Sequence, residues 1–150
     1  MPDFSTLFIA ANGGPIEYKG RTLIMMDLYP VQAGEKLLIT LISTNSKWKQ
    51  GIKLNAKGSI FINGQVLKKG VFLWEDTMPK SVGVVVDAKD DILQVSNIWD
   101  TGDGVTHSWL NGSAIFIESD SNGKRFYHCN DGKPDDDFDD LVFSIEKIST

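Results

Sequence analysis

Turn signals recur roughly every 8–12 residues along this chain, and no run of eleven or so residues shows the 3.6-residue apolar period of a helix. Between the turns lie short runs rich in β-branched and aromatic residues. This pattern predicts an all-β fold, a two-sheet antiparallel β-sandwich of jelly-roll or Greek-key type. The 150 residues contain no linker or repeat, so we expect residues 1–150 to form a single domain.

The predicted strands follow from period-2 alternation and from the turn residues that bound them. Asn63-Gly64 between apolar runs predicts a hairpin with a type I′ turn, and Asp90-Asp91 predicts a turn between two strands. In chain order we expect strands at residues 3–12 (an edge strand), 21–29, 35–43, in the hairpin 57–70, and at 71–74, 82–86, 92–99, 106–110, 113–118, 125–129 and 141–148.

A dense acidic run precedes the last predicted strand. Six Asp and one Lys lie between positions 131 and 140, and they carry the whole formal net charge of -5, because the 14 acidic and 14 basic residues elsewhere cancel. Two carboxylates about 4 Å apart repel by roughly 4 kcal/mol where the effective dielectric constant is ~20. A hard divalent cation offsets that repulsion, and calcium prefers oxygen ligands. The run therefore predicts a Ca2+ site, with a solvated acidic turn as the alternative.

The spacing within this run favours a site on one side of the chain. Asp135, Asp137 and Asp139 alternate, so their side chains leave an extended backbone in one direction, and Asp140 follows directly. An EF-hand is excluded, because Asp140 would stand where that loop requires Gly and neither flank has a helical pattern.

The string Asp131-x-x-x-Asp135-x-Asp137-Phe138-Asp139-Asp140-x-Val142 resembles the calcium loop of the small fucose- and mannose-binding bacterial lectins. It is also similar to a signature near the end of several secreted bacterial β-sandwich modules. In those lectins the bound calcium ions ligate sugar hydroxyls directly. The resemblance covers residues 131–142 and implies a cell-surface carbohydrate as partner. The calcium ligands that it implies are Asp131, Asp135, Asp137, Asp139 and Asp140.

A second acidic turn, which contains Asp100 and Asp103, follows a predicted strand. If it lies at the same end of the sandwich, then Asp100, Asp103 or the Asn97 amide would complete a calcium shell. The simpler interpretation is a tight turn in which each Asp binds its own backbone.

Residues near this turn are also candidates for a glycan pocket, because aromatic faces stack on sugar rings while polar side chains bind hydroxyls. The candidates near this turn are His107, Trp109 and Asn111, and Asn130 at the start of the acidic run is a further candidate. We expect Trp99 in the core, whereas Trp48 lies in a polar loop and is the ring expected to be exposed, as a ligand platform or an interface anchor.

Composition argues against several classes of protein. A pI near 4.9 argues against nucleic-acid binding, and one Cys with two His excludes an internal disulfide and the common structural zinc sites. No apolar run approaches the length of a membrane span. The N-terminus lacks the basic region of a standard signal peptide, so we expect cytoplasmic synthesis, with non-classical export as an option.

Adjacent His128 and Cys129 would face opposite sides of a strand and so cannot form a nucleophile–base pair, and we predict a non-enzyme. The leading hypothesis is a calcium-binding, lectin-like module. The alternatives are a calcium-stabilised adhesion, assembly or surface protein without a sugar ligand, and a partner-binding protein without metal. A homo-oligomer is compatible with each.

Overall fold

The computed structural model describes residues 4–68, 70–108, 112–120, 122–132 and 137–148. Over these ranges the chain forms one short α-helix and twelve β-strands, and every strand pairing is antiparallel. The predicted all-β, antiparallel, sandwich-like fold is thereby confirmed. The elements are α1 Phe4–Ala10, β1 Ile16–Tyr18, β2 Arg21–Leu23, β3 Asp27–Pro30, β4 Lys36–Thr44, β5 Lys49–Ile62, β6 Gln65–Leu67, β7 Gly70–Trp74, β8 Ser81–Asp100, β9 Thr106–His107, β10 Ala114–Ser119, β11 Arg125–Asn130 and β12 Leu141–Ile148.

The strands form two sheets of very different size. β1 and β2 make a two-stranded sheet, and the other ten strands make one sheet whose path is β10-β11-β12-β4-β8-β5-β6. Strands β3 and β9 pair with β8 beside this path, and β7 pairs with β5. The two long strands β5 and β8 are therefore the central pair of the large sheet, on which the additional strands β3, β7 and β9 also pair.

Both long strands bend near their middle. The register of β5 against β8 shifts between Ala56 and Gly58, and Asp91 of β8 has a φ of 57°. Gly58 is required at this bend, because a Cβ there would lie 2.0 Å from the carbonyl oxygen of Asp87. Strands that bend in this way pass from one layer of a sandwich to the other. One core cluster includes residues from both halves of β8, for example Val84 and Val95, so the ten-stranded sheet folds over its own core.

Three predictions about individual elements differ from the structure. Residues 4–12, the described part of the predicted edge strand 3–12, contain α1 and no strand. Phe4 and Phe8 are four residues apart and share a helix face that is buried in a second, smaller core cluster. Asp90-Asp91 does not separate two strands, because Asp tolerates the left-handed backbone and β8 bends there without ending. The predicted strand 21–29 is divided into β2 and β3.

Two other local signals are confirmed, whereas the predicted strand 106–110 is observed only as β9, Thr106–His107, with residues 109 and 110 outside the described ranges. Asn63 and Gly64 have φ of 51° and 76°, as a type I′ turn requires, and they connect β5 to β6. The final alternating run is β12. No helix in the described ranges is long and apolar enough to span a bilayer.

Candidate functional site

Three connections meet at one end of the sandwich. They are residues 45–48 between β4 and β5, residues 101–105 between β8 and β9, and the described residues 131–132 and 137–140 between β11 and β12. We call residues 131–140 the acid loop. Gln50 pairs with Trp99 across β5 and β8, and Trp99 pairs with His107 across β8 and β9. The ring of Trp99 packs against Gly132 of the acid loop, where a Cβ would approach it to 2.8 Å.

At this end the core changes from apolar to polar. Gln50, Ile52 and Leu54 alternate along β5, so the Gln50 side chain leaves the strand on the same side as the core residues. Asn97 occupies the equivalent position on β8, opposite Ile52. Both amide side chains are 0% exposed.

The two buried amides donate hydrogen bonds to Asn130, the last residue of β11, and Asp131, the first residue of the acid loop. Gln50 Nε2 donates to Asp131 Oδ2 at 3.0 Å and to the carbonyl oxygen of Trp48 at 3.1 Å. Asn97 Nδ2 donates to the carbonyl oxygen of Asn130 at 2.8 Å. The acid loop therefore begins on a fixed, water-excluded platform.

Asp131 is a structural hub of the site. It is 1% exposed, and its Oδ2 also accepts a hydrogen bond from Ser46 Oγ at 2.6 Å. The same Ser46 oxygen accepts a bond from the backbone N–H of Trp48 at 3.1 Å. The backbone N–H of Asp131 donates to Asp140 Oδ2 at 2.9 Å, which closes the acid loop on itself.

Phe138 anchors the acid loop in the smaller core cluster. Its ring is 1% exposed and lies 5.3 Å from the ring of Phe116 and 5.9 Å from that of Phe4. Its backbone has a φ of 55°, and its N–H donates to Asn130 Oδ1 at 2.7 Å. The extended backbone that we assumed for the alternating Asp residues is therefore wrong at this position.

An open cleft of about 770 Å3 separates the acid loop from the β4–β5 connection. Asn45 ties the two walls together, because its Nδ2 donates to Asp139 Oδ2 at 2.8 Å and its backbone N–H donates to the carbonyl oxygen of Asp140 at 3.1 Å. Asp137 is exposed, Asp139 is half-buried, and Trp48 is half-buried on the opposite wall. The cleft is lined by Thr44, Asn45, Ser46, Lys47, Trp48, Asp137, Asp139 and Asp140.

The structure divides the predicted calcium ligands between two environments. Asp137, Asp139 and Asp140 line the cleft, whereas the side chain of Asp131 is held behind it by Ser46 and Gln50. Asp135 lies outside the described residues. Within the described ranges, no group of three or more His, Cys, Asp or Glu side chains is arranged to hold a metal ion. Calcium binding stays a prediction.

The carboxylates of the second acidic turn accept hydrogen bonds from backbone N–H groups of the same turn. Asp100 Oδ1 accepts from the N–H groups of Gly102 at 2.8 Å and Gly104 at 3.2 Å, and the bond from Gly102 is the main cause of the lowered pKa of Asp100. Asp103 Oδ1 accepts from the N–H of Val105 at 3.0 Å. These bonds agree with the simpler interpretation of this turn, and neither carboxylate lines the cleft.

The remaining candidates lie apart from the cleft or outside the description. The His107 ring stacks near Trp99, with centroids 6.3 Å apart, and Trp99 is buried as expected. Asn97 and Asn130 lie in the buried layer behind the cleft. Trp109 and Asn111 fall outside the described residues.

Nothing in the sequence marked Asn45, Ser46 and Gln50 as residues of this site. The only signal in that stretch was the polar loop around Trp48. Its contact with the acid loop depends on the pairing of β4 with β12, which sets Thr44 opposite Leu141.

No protein-family model matches the chain, and no curated protein or solved structure matches it significantly.

Proposed function

We propose that this chain is a carbohydrate-binding module that binds its ligand in the cleft between residues 44–48 and the acid loop. The observation that carries the proposal is that Trp48 lines the same cleft as three carboxylates and the Asn45 amide. An indole face packs well on the apolar face of a sugar ring, and carboxylate and amide groups bind the hydroxyls at its rim. The pairing of one aromatic ring with several polar groups suits a glycan better than an apolar ligand.

We also propose that Ca2+ binds at the acidic wall of this cleft. Asp137 and Asp139 present carboxylate oxygens there, and oxygen-rich, negatively charged sites suit this hard cation. Bound calcium would neutralise the wall and offer further coordination positions to sugar hydroxyls. The chain's own residues supply the rest: Asn45 fixes Asp139, and Ser46 fixes the backbone at Trp48.

A binding role suits the described residues better than catalysis. Cys129 is fully buried, and burial raises the pKa of its thiol well above the ordinary value, which disfavours the reactive thiolate. His128 stacks on Phe116 with ring centroids 4.4 Å apart, and its Nε2 lies 2.9 Å from a carboxylate oxygen of Glu118. These contacts leave the pair as structural groups on β11.

One observation favours the second candidate function, a calcium-stabilised adhesion, assembly or surface protein. The acid loop is built into the interior through Asp131 and Phe138, so an ion bound to it would stabilise the fold even without a ligand in the cleft.

The test is glycan-array binding followed by titration of the best glycan, each with calcium and with chelator. We expect calcium-dependent binding that Trp48→Ala weakens about tenfold or more, equivalent to about 1.4 kcal/mol. Trp74→Ala is the matched control, because Trp74 is also half-buried but does not line the cleft, and should leave affinity unchanged. Mass spectrometry of the recovered glycan should show no cleavage.

Each other outcome selects a different hypothesis. Calcium-dependent stability without binding to any glycan overturns the carbohydrate role and selects the structural-metal alternative. Glycan binding that ignores chelator overturns the calcium role alone. If calcium changes neither stability nor glycan binding, and no glycan binds, the remaining hypothesis is a partner-binding protein without metal.

A further inference from the structure

Three neighbouring strands of the large sheet carry unbroken apolar runs. These are residues 60–62 of β5, 84–86 of β8 and 37–39 of β4, and β8 pairs with both of the other strands. A sheet with one face in water usually alternates apolar and polar residues, whereas an unbroken run is typical of a strand that is covered on both faces. These runs therefore indicate that the sheet is covered on each side.

Within the described part of the chain, only the inner side of these strands is covered. The alternate members of each run point into the main core cluster; they are Leu37, Ile39, Ile60, Val84 and Val86, with Ile62 packed against the cluster. Leu38, Phe61 and Val85 leave their strands on the opposite side, and neither core cluster includes them. The smaller core cluster draws its strand residues from β1, β2 and β10, so it leaves the outer side of β4, β5 and β8 open.

The outward side chains form a row across five strands. Val66 pairs with Phe61, and Phe61 pairs with Val85. Val85 pairs with Lys36, and Lys36 pairs with Ile148. Paired residues lie on the same face of a sheet, so this row crosses β6, β5, β8, β4 and β12. We call its apolar members, together with the neighbouring outward residue of β4, the outer stripe: Leu38, Phe61, Val66, Val85 and Ile148. Val66 is 51% exposed and the others are half-buried.

Two opposite charges lie on either side of Leu38 on this outer face. Glu146 pairs with Leu38 from β12, and Gly83 pairs with it from β8. The Lys36 side chain lies over Gly83, where a Cβ would approach its Cε to 3.0 Å. Among the described residues, neither Lys36 nor Glu146 has an ion-pair partner. The face therefore carries one unpaired charge of each sign, on opposite sides of a central leucine.

This arrangement is complementary to itself. A two-fold axis that runs parallel to β4 and passes over Leu38 exchanges the β8 side of the face with the β12 side. A second copy placed by this axis sets Lys36 opposite the partner's Glu146 and Val85 opposite the partner's Ile148, while the two copies of Leu38 meet on the axis. Such an interface is isologous, and two sheets stacked in this way pack about 10 Å apart.

We propose that the outer stripe docks against the outer stripe of a second copy of this chain, which gives a two-fold symmetric dimer. A partner of a single charge sign would pair with one of Lys36 and Glu146 and be repelled by the other. The net negative charge of the chain lies beyond the other end of β12, roughly 17 Å along the strand from Glu146. This is about two Debye lengths at physiological salt, so the acid loop opposes docking only weakly. The inference depends on neither the glycan nor the calcium proposal.

The test is sedimentation velocity of the intact chain over a range of protein concentrations, with chelator present so that bound metal plays no part. We expect the mass to rise from 16.6 kDa towards twice that value as the concentration is raised. Leu38→Glu sets two like charges against each other on the axis and should leave the chain monomeric. Phe72→Glu is the matched control, because Phe72 is 49% exposed on β7, outside the outer stripe, and this variant should dimerise as wild type does.

A charge exchange tests the axis itself and leaves both core clusters untouched. Lys36→Glu and Glu146→Lys should each raise the dissociation constant of the dimer about tenfold or more, because each sets like charges opposite each other. The double variant restores opposite charges and should dimerise as wild type does.

Four results would overturn the inference. The first is a wild-type chain that remains monomeric at every concentration, which would assign the outer stripe to a different partner. The second is a Leu38→Glu variant that is folded by circular dichroism and still dimerises. The third is loss of the dimer in Phe72→Glu, which would move the interface to the other outer face. The fourth is a double charge variant that dimerises as weakly as the two single variants.

Discussion

Replacing Asp131 with Ala should destabilise the protein far more than replacing Asp137, although both changes remove one Asp from the acid loop. The Asp131 carboxylate is 1% exposed and accepts bonds from Ser46 Oγ at 2.6 Å and Gln50 Nε2 at 3.0 Å. The Asp137 side chain is exposed at the cleft. The comparison therefore separates a buried carboxylate that holds the loop in place from an exposed one that faces the cleft.

The size of the effect follows from the partners left behind. A hydrogen bond to a charged group contributes about 1.5–3 kcal/mol, so loss of two such bonds gives an upper range of about 3–6 kcal/mol. Ser46 is half-buried and can bond to water instead, and removal of one charge relieves repulsion with nearby Asp140. Gln50 is fully buried, so its amide cannot bond to water in place of the lost carboxylate. We expect a loss near the lower limit, about 3 kcal/mol in the free energy of unfolding.

Thermal unfolding in chelator measures this difference without any contribution from bound metal. For a chain of this size about 3 kcal/mol corresponds to a fall of roughly 6–12 °C in Tm. Asp137→Ala should stay within about 0.5 kcal/mol of wild type, as exposed substitutions usually do. Asp131→Asn should fall between the two, because its amide oxygen still accepts both bonds. A Tm for Asp131→Ala within about 2 °C of wild type, or an equal fall for Asp137→Ala, would refute the reasoning.

Three further predictions concern other parts of the molecule. Phe138→Ala should lower the free energy of unfolding by about 3–5 kcal/mol, because its ring is buried; an unchanged urea midpoint contradicts this. Because the pKa of Asp100 is lowered in the folded state, its ionised carboxylate stabilises the fold at pH values above the ordinary pKa of 3.8. This stabilisation is lost as the pH falls through the folded-state pKa, so Asp100→Asn should flatten the acid limb of the Tm–pH profile. Burial, with the nearby Asp27 carboxylate, raises the pKa of Tyr127, so stability should fall above pH 10.0 as the unfolded phenol ionises, and Tyr127→Phe should lessen that fall; equal slopes count against it.

The fold class was predictable because its signals are local. Asn63-Gly64 specifies its turn without help from the rest of the chain, and the alternation of residues 141–148 marks a strand wherever that strand lies. The helix α1 was not predicted because one Phe4–Phe8 pair is too short a pattern to establish a helical period. The continuity of β8 was not predicted because an Asp with a left-handed backbone is compatible with a turn as well as with a bend inside a strand. Only the pairing with β5 decides between the two.

The candidate site was half predictable for a similar reason. The acidic run and the Trp48 ring stand out in the sequence, so both walls of the cleft were visible separately. Their proximity arises because β4 pairs with β12, which brings Thr44 opposite Leu141. The roles of Ser46 and Gln50 follow from that long-range pairing, since nothing within a polar loop of ordinary composition identifies a partner more than eighty residues away.

Phe138 explains how the acid loop holds its carboxylates in different environments. An extended backbone would place Asp137 and Asp139 on one side by simple alternation. The left-handed backbone at Phe138 turns the chain there, the ring descends into the smaller core, and the Asn130 side chain caps its N–H. The backbone conformation costs about 1–2 kcal/mol for a non-glycine residue, less than burial of the ring contributes. The turn leaves Asp137 exposed and Asp139 half-buried on the cleft, while Asp140 is drawn inward to bind the N–H of Asp131. Phe138 therefore sets the different environments of the described carboxylates on either side of it, with Asp137 exposed at the cleft and Asp140 buried.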